Sequence, residues 1–375
     1  MSLQMEEFIK AKPRIDFLMS HLTLNAIPGS RKNCFVIYLL ALLNGFFISF
    51  VLLHLMNVNF QINFNTLITF LTISVISGYG FRICVGFLKK DMIKTLLQNI
   101  KELFEVQEDD EELSEVLKKH LMGSMRIFAF CNRWGTNMYI FAGVMCGFYF
   151  RYNEDYGFMY ELPFIVSDNM LWKEFLYILQ GFFYITVATT MIFLDIGIVY
   201  LGLQVIAEFN ILSDYMKLLN EKFKSEPKFL SKIIIRHFSV FQNVNLLSDI
   251  ISETSFLQLV FSFISLLFGF TFIIEYATGL GNYIIVLCGG GLAVPICILG
   301  EFIRARADQL PDTFYQTNWY EISLKDQKTF LIILGMAQRE YGLKAAGMYD
   351  INIYTFFRIT QIAFSYCAVL YSLSK

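Results

Sequence analysis

Residues 33–58 read NCFVIYLLALLNGFFISFVLLHLMNV, and this stretch contains no aspartate, glutamate, lysine or arginine. A membrane-spanning helix needs about 20 consecutive and mostly apolar residues, so this run predicts a transmembrane helix. Six further stretches meet the same requirement, near residues 66–88, 127–150, 171–206, 253–276, 282–303 and 349–373. The sequence therefore predicts an all-α membrane protein with seven transmembrane helices.

The composition of the whole chain agrees with a membrane location. Of the 375 residues, 56% are hydrophobic and 17% are charged, whereas soluble domains average about half apolar and about a quarter charged residues. A soluble protein of this length could not keep all of its 40 phenylalanines and 20 tyrosines away from water. In a lipid bilayer, such residues can lie on the outer surface of every helix. The formal net charge of −2 excludes a basic surface for nucleic acid. We expect the lipid bilayer as a partner and no nucleic acid.

No motif indicates an enzyme or a metal site. The seven cysteines form no CxxC pair, and the four histidines are scattered without HExxH, GxSxG or Walker-type patterns. We therefore expect no catalytic residues, no cofactor and no metal, and cysteines that pack as small apolar residues. Three glycines at residues 289–291 precede Pro295 within the sixth span. They indicate either tight helix packing or a bend beside a ligand pocket.

The distribution of positive charge predicts the orientation. Most of the 30 lysines and arginines lie in the N-terminal segment or in three long loops, and only Arg151, Lys173 and Lys375 lie on the opposite side. Lysine and arginine accumulate in cytoplasmic loops. The N-terminus is therefore predicted in the cytosol and the C-terminus outside, the reverse of a G-protein-coupled receptor.

Three polar segments, residues 89–125, 208–252 and 304–348, are predicted to form a cytosolic helical anchor region. The first contains an acidic run at residues 105–112, which we expect to be a solvated face. The fourth span is too long for a perpendicular crossing, so we expect its helix to continue into the cytosol. Asp195 is an acid within this apolar run. It has either a functional role or a pairing with Arg133 or a tyrosine near the cytosolic boundary.

The outer halves of four spans carry apolar and hydroxyl side chains at spacings of three and four, which place each set on one helix face. An apolar lining with a few hydroxyls is typical of a pocket for a small uncharged ligand. Helix packing or lipid contact is the alternative for each single residue. The set is Phe70, Ile73, Ser74 and Ser77 in the second span, Met138, Phe141, Met145 and Tyr149 in the third, Tyr177, Phe182 and Thr186 in the fourth, and Tyr283 and Ile284 in the sixth.

The C-terminal quarter, from Asp312 to Tyr371, resembles the insect odorant receptor family. The chain lacks the longer insertion that the coreceptor type carries between its fourth and fifth helices, so it is similar to an odour-tuning subunit. A related gustatory closing pattern, TYhhhhhQ, keeps its tyrosine at Tyr366 but has Ser372 in place of glutamine. The marks of the resemblance are Tyr315, Trp319-Tyr320, Met336-Ala337-Gln338-Arg339, Leu343 to Gly347, Phe356-Phe357, Ser365-Tyr366 and Ala368-Val369-Leu370.

The resemblance implies an odorant-gated, non-selective cation channel subunit that forms a heterotetramer with a coreceptor subunit. It implies a location in the plasma membrane of olfactory sensory neurons and a small volatile odorant as the ligand. The final helix would line the pore, with Val369 at the constriction and with Ser365 and Leu373 one turn away on the same face. Taken without the resemblance, the residues also allow a gustatory-type receptor that acts through a cytosolic transducer, or a membrane transporter.

Overall fold

The computed structural model describes residues 3–27, 31–57, 64–153, 157–160, 162, 170–222, 229–276 and 290–374. Ten α-helices and one short antiparallel hairpin make up this part of the chain. The helices are α1 (Leu3–Leu22), α2 (Arg31–Asn57), α3 (Phe64–Leu88), α4 (Lys90–Glu105), α5 (Glu111–Tyr152), α6 (Met170–Lys222), α7 (Phe229–Tyr276), α8 (Val294–Tyr315), α9 (Leu324–Ala337) and α10 (Ile353–Ser374). The hairpin pairs β1 (Lys344–Ala345) with β2 (Tyr349–Asp350).

The predicted spans fall on helices wherever the structure describes them, except at residues 349–352, the start of the seventh span. By length and composition alone, four helical segments can cross a membrane: Arg31–Asn57, Ile68–Leu88, Met170–Lys222 and Phe229–Thr271. The other predicted spans lie on α5, α8 and α10, and residues 282–289 of the sixth lie outside the described part. The seventh helix begins at Ile353 and not at residue 349, because Tyr349 and Asp350 pair with β1.

Three helices are much longer than a membrane crossing. The helix α5 has 42 residues, α6 has 53 and α7 has 48, whereas about 20 span the hydrocarbon core. The fourth predicted span thus continues without a break into the next predicted polar segment. Apolar residues at helical spacing, such as Leu201, Leu212 and Leu219 of α6, are buried along this extension. The extension therefore packs in a shared core with neighbouring helices.

An N-terminal helix, α1, was not predicted. Its apolar residues are interrupted by charges, so the segment has no long apolar run. Phe8, Ile15 and Leu18 are nevertheless buried in the main core. A Cβ atom built on Gly86 of α3 would lie 2.1 Å from the backbone oxygen of Leu22. Only glycine at position 86 leaves room for the end of α1.

The acidic run at residues 105–112 is not a uniform solvated face. The Asp110 carboxylate accepts hydrogen bonds from the backbone N–H groups of Glu112 and Leu113, and so caps the N-terminus of α5. Asp110 also forms an ion pair with Lys222 at the end of α6. Glu108 accepts hydrogen bonds from Lys232 and Tyr215. The run therefore connects the loop before α5 to α6 and α7.

Glycines set the distance between α5 and α6. A Cβ atom on Gly143 would lie 2.9 Å from the Cα of Ile185, and one on Gly147 would lie 2.9 Å from the Cα of Gly181. Gly143 and Gly147 form a GxxxG pattern, which allows two membrane helices to approach closely. This contact holds the two helices together beside the cavity described next.

Candidate functional site

A cavity of about 400 Å³ lies among α3, α5, α6 and α7. Small-molecule pockets are typically about 300–1,000 Å³ and mostly apolar. The 3-10 turn Gly291–Ala293 contributes its first two residues to the wall. The lining consists of Phe47, Ile68, Leu71, Thr72, Val75, Met138, Tyr139, Ala142, Gly143, Cys146, Phe150, Tyr184, Val187, Ala188, Met191, Ser265, Gly291 and Leu292.

Small residues create the space. Ala142, Gly143 and Cys146 line the cavity on α5, and Ala188 lines it on α6. A Cβ atom built on Gly291 would meet no atom within 4 Å, so this glycine opens onto free space. Gly290 differs, because a Cβ there would lie 2.3 Å from the Leu266 side chain. The glycine run therefore provides tight packing at one residue and cavity volume at the next.

Aromatic rings form one wall. The ring of Phe150 stacks on that of Tyr184 with centroids 5.4 Å apart, and Phe47 meets Tyr184 edge-on at 6.1 Å. Phe47 also stacks on Phe183 at 4.5 Å. Stacked and edge-on pairs restrict the motion of each ring and stabilise the wall. This wall presents a fixed apolar shape to a ligand.

Few polar atoms face the cavity. The polar side chains of the lining include the hydroxyls of Thr72, Tyr184 and Ser265. The Tyr184 hydroxyl interacts with the Thr72 side chain, whereas the buried Ser265 hydroxyl has no hydrogen-bond partner within the described residues. Buried hydroxyls are usually paired, because a missing hydrogen bond costs about 1–3 kcal/mol. The lining therefore offers a ligand few hydrogen-bonding groups, and most of the contact surface is apolar.

A second, smaller cavity of about 30 Å³ adjoins the first and shares Val75, Met191 and Leu292 in its wall. Arg82 of α3 and Asp195 of α6 line it, and the Arg82 Nη2 donates to the Asp195 Oδ1 at 2.6 Å. Both side chains are buried. Asp195 thus pairs with Arg82 and not with Arg133.

The predicted ligand residues are distributed over several environments. Met138 lines the large cavity, and Ser74 lines the small one. Phe141 and Met145 are 64% and 47% exposed on the outer surface of α5, and Phe182 is 48% exposed on α6.

The remaining predicted ligand residues pack against other side chains or lie outside the described part, except for Ser77, which is exposed. Phe70 stacks on Phe268 at 6.4 Å, and Tyr177 contacts Phe158 at 4.5 Å. The Thr186 hydroxyl is buried and donates to the Phe182 oxygen. Ile73 and Tyr149 are partly buried against apolar clusters and Ser77 is exposed, while Tyr283 and Ile284 lie outside the described residues.

Two of the predicted pore residues, Ser365 and Val369, lie on the exposed side of α10. Val369 is 54% exposed, and Ser365 is exposed with its hydroxyl donating to the Gln361 oxygen. The Leu373 side chain lies outside the described residues. On the other side of α10, Ala363 and Cys367 are buried. Within the described residues, the helix therefore has one packed face and one face that is more than half exposed.

Several lining residues were not predicted. On α5 the prediction chose the large apolar side chains, whereas the cavity is lined by the neighbouring face with Ala142, Gly143 and Cys146. The GxxxG spacing of Gly143 and Gly147 is a sequence signal for the face toward α6. No comparable signal singles out Thr72 or Ser265.

A family model described as 7tm Odorant receptor matches residues 59–364. The chain belongs to the odorant receptor family. Among curated odorant receptors of Drosophila melanogaster, Odorant receptor 42a is 29% identical over 36% of this chain and 34% of its own length. Odorant receptor 85b is 22% identical over 57% of this chain and 56% of its own length. The matched segments thus span about a third to a half of these odorant receptors.

Solved odorant receptor structures have the same fold. The insect olfactory receptor OR5 from Machilis hrabei in complex with eugenol superimposes with a TM-score of 0.76 and 14% identity, over 98% of both chains. A further OR5 structure gives a TM-score of 0.71 with 13% identity over the same shares. The fold of this odorant receptor is therefore all-α with seven transmembrane helices, as predicted from the sequence. It is a multi-pass membrane protein.

Proposed function

We propose that this odorant receptor is a subunit of an odorant-gated, non-selective cation channel. Its ligand is a small volatile odorant that binds in the 400 Å³ cavity among α3, α5, α6 and α7. The cavity is the observation that carries the proposal, because it combines an apolar lining with a few hydroxyl-bearing residues, Thr72, Tyr184 and Ser265, in an odorant receptor fold. The OR5 structure solved with eugenol supports a small aromatic molecule as a ligand for this fold.

The lining favours a weakly polar aromatic or aliphatic odorant. Burial of roughly 200 Å² of apolar ligand surface at about 25 cal/mol per Å² contributes at most about 5 kcal/mol. Micromolar affinity corresponds to about 8 kcal/mol, so apolar burial alone is insufficient. The aromatic wall of Phe47, Phe150 and Tyr184 supplies shape fit. A hydrogen bond to a hydroxyl of the lining, such as that of Thr72, supplies part of the remainder.

We propose that α10 lines the pore, with Ser365, Val369 and Leu373 on the pore face. Large apolar side chains on α10, including Phe357, Ile362 and Val369, are exposed in the single chain. Exposed apolar patches mark contacts with other proteins or with lipid. A heterotetramer with coreceptor subunits places Val369 in a ring of apolar residues, and such a ring closes a narrow channel by dewetting.

In this proposal the N-terminus of the chain lies in the cytosol and its C-terminus lies outside. The N-terminal parts of α5 and α7 and the C-terminal part of α6 also lie in the cytosol. The predicted anchor segments, residues 89–125, 208–252 and 304–348, then form the cytosolic region where subunits meet. The asymmetry of lysine and arginine supports this orientation. The plasma membrane of olfactory sensory neurons is the corresponding location.

Whole-cell recording tests the proposal. The receptor is expressed in a heterologous cell with and without a coreceptor subunit, and a panel of volatile odorants is applied. A channel gives rapid, ligand-evoked, cation-selective current that requires the coreceptor and persists when second messengers are blocked. Current that disappears with the second-messenger block selects a transducer-coupled receptor. Uptake of labelled ligand without current selects a transporter.

A further inference from the structure

A polar groove of about 410 Å³ lies between α5, α6 and α8, and its lining residues differ from those of the odorant cavity. Three cationic side chains line it, Lys119 of α5, Lys217 of α6 and Arg306 of α8. His120 and Asp214 also line the groove, and the His120 Nε2 lies 2.7 Å from the Asp214 Oδ2. Three helices therefore bring positive charge to one concave surface.

The Asp214 carboxylate holds both lysines beside the groove. Its Oδ1 accepts a hydrogen bond from the Lys217 Nζ at 2.9 Å, and its Oδ2 lies 3.7 Å from the Lys119 Nζ. An ammonium group carries more donors than one carboxylate contact uses, so each lysine retains N–H groups for a ligand. One carboxylate therefore orients two cations without neutralising both.

Arg306 adds a guanidinium group with few contacts of its own. It is exposed, and its Nη1 donates to the Gln309 Oε1 at 3.2 Å. The neighbouring Asp308 forms its ion pair with Arg304. The planar fork of an arginine side chain matches the oxygens of a phosphate group. Arg306 is therefore suited to hold a phosphate group at the α8 side of the groove.

A second carboxylate, that of Asp312, determines the kind of anion that the groove fits. Asp312 is exposed, and a carboxylate accepts hydrogen bonds but donates none. It therefore repels a bare inorganic anion and accepts a hydrogen bond from a hydroxyl group. The side-chain amides of Asn210 and Gln316 add further donors and acceptors. Cations for phosphate thus lie in one groove with acceptors for hydroxyl groups.

We propose that this groove binds a phosphorylated polyol, with phosphate groups on Lys119, Lys217 and Arg306 and with a hydroxyl group on Asp312. The proposal goes beyond odorant binding, because it concerns a separate site on the parts of α5 and α6 that extend away from the odorant cavity. A volume of about 410 Å³ is within the range of small-molecule sites. Charge-assisted hydrogen bonds from arginine and lysine are a strong means of holding phosphate.

The position of the groove along the helices gives two sources for such a ligand. Arg306 follows residue 303, the end of the sixth predicted span, and Lys119 precedes residue 127, the start of the third. At 1.5 Å per residue they lie roughly 5 Å and 12 Å from the hydrocarbon core, whose headgroup layer is roughly 5–8 Å thick. In the proposed orientation this side is cytosolic. The headgroup of an inner-leaflet phosphoinositide and a free inositol phosphate both reach the groove and share its chemistry.

The test measures the binding of tritiated inositol trisphosphate to the full receptor chain, purified in detergent, by equilibrium dialysis. We expect saturable binding that weakens as salt screens the charges. The triple variant Lys119→Gln, Lys217→Gln and Arg306→Gln should weaken this binding by about tenfold or more, since one lost charge-assisted hydrogen bond alone is worth about tenfold.

The control triple Lys10→Gln, Lys94→Gln and Lys118→Gln removes three exposed lysines outside the groove lining. It should leave binding within about twofold of the unaltered receptor, because exposed charges at a distance are largely screened. Melting temperatures establish that both triple variants are folded. Absence of saturable binding to the unaltered receptor overturns the site, and so does an equal loss of binding in the two triple variants.

Asp312→Ala separates a polyol site from a general anion site and keeps all three cations. Loss of the hydroxyl acceptor should weaken the binding of inositol trisphosphate by about fivefold, the value of about one hydrogen bond. Loss of the repelling charge should strengthen the binding of pyrophosphate, which is measured by competition with the labelled probe. Shifts in opposite directions support the polyol, whereas no shift, or shifts in the same direction, overturn it.

A second competition experiment identifies the source of the polyol. Dioctanoyl phosphatidylinositol bisphosphate and unlabelled inositol trisphosphate each compete with the labelled probe. A lipid that competes about tenfold more tightly indicates a membrane headgroup as the ligand, whereas equal or weaker competition indicates a free inositol phosphate. These measurements use no odorant, so the site stands or falls independently of the proposed odorant-gated channel.

Discussion

Gly143 of α5 lies so close to α6 that a Cβ atom built on it would be 2.9 Å from the Cα of Ile185. Backbone atoms cannot move aside as a flexible side chain does. Gly143→Ala should therefore push α5 and α6 apart and destabilise the receptor by about 1–3 kcal/mol. Gly123 lies on the same helix with no atom within 4 Å of a built Cβ, so Gly123→Ala should be neutral or slightly stabilising. Thermal stability of the detergent-solubilised protein measures both, and equal melting of the two variants would contradict the close contact.

Two substitutions in α5 test which face of this helix contacts the odorant in the proposed site. Cys146 lines the cavity, whereas Phe141 is exposed on the outer surface. Cys146→Phe should fill the cavity and lower odorant potency by about tenfold or more, because overpacking commonly costs at least about 1.4 kcal/mol. Phe141→Ala should leave the rank order of odorants unchanged. Both variants are compared by dose-response curves at equal surface expression. If Phe141→Ala changes the rank order of odorants, the outer face of α5 contacts the ligand.

Asp110 should stabilise the protein in a pH-dependent way. The hydrogen bond from Lys222 and those from the amides of Leu113 and Glu112 lower the pKa of the Asp110 carboxyl. A carboxyl with a lowered pKa in the folded state contributes stability above its unfolded pKa of about 3.9 and loses it as the pH falls through the folded value. Asp110→Ala should therefore cost about 1 kcal/mol at pH 7, the usual value of a lost helix cap.

The difference in melting temperature between Asp110→Ala and the unaltered protein should narrow as the pH falls toward 3. Asp109 is exposed and caps no helix, so Asp109→Ala is the control and should melt like the unaltered protein. A difference that stays constant with pH would show that Asp110 acts through packing and not through its charge.

Membrane orientation is tested with epitope tags on intact cells. A tag after Lys375 should be labelled without permeabilisation, and a tag before Met1 should need it, because the positively charged loops are retained in the cytosol. The opposite labelling pattern would reverse the orientation and remove the cytosolic anchor from the proposal.

The pore face of α10 is tested at Val369. Val369→Ser should raise basal leak current or change ion permeability, because a polar side chain keeps a narrow constriction hydrated. The effect should be partial, since partner subunits supply the rest of the ring, and odorant ranking should be unchanged. Ala368→Ser makes the neighbouring exposed position polar and is the control. If Val369→Ser changed the rank order of odorants and left leak current and ion permeability unchanged, Val369 would belong to the ligand site and not to the pore.

The membrane-spanning helices could be predicted from the sequence because a bilayer requires long apolar runs. Residues 33–58, which have no charged side chain, fit a membrane span and not a water-exposed helix. The helix α1 could not, since its core contacts, such as those of Leu18, come from single residues placed between charges. The hairpin before Ile353 was missed for a similar reason. It depends on contacts with α7, where the Ala346 N–H donates to the Ser252 oxygen.

The residues that line the cavity were harder to predict than the fold. In a membrane, a large apolar side chain such as Phe141 or Met145 is as favourable on a lipid-facing side of a helix as on a cavity-facing side. Hydrophobicity therefore does not distinguish these two sides of the helix. The cavity is instead defined by small residues, including Ala142 and Gly291, whose value lies in the volume they leave free. The sequence did single out Asp195, but its partner Arg82 lies far away along the chain and only the fold brings them together.

Because α6 is one unbroken helix, a change in its tilt at the cavity moves its far end by a larger distance. From Met191 at the cavity to Lys222 at the helix end, a rise of 1.5 Å per residue gives an arm of roughly 45 Å. A tilt of about 5° at the cavity then displaces the far end by about 4 Å, which is the width of a side chain. A rotation of α6 that barely changes the shape of the cavity is therefore large enough to change the residue contacts at the Lys222 end of the helix.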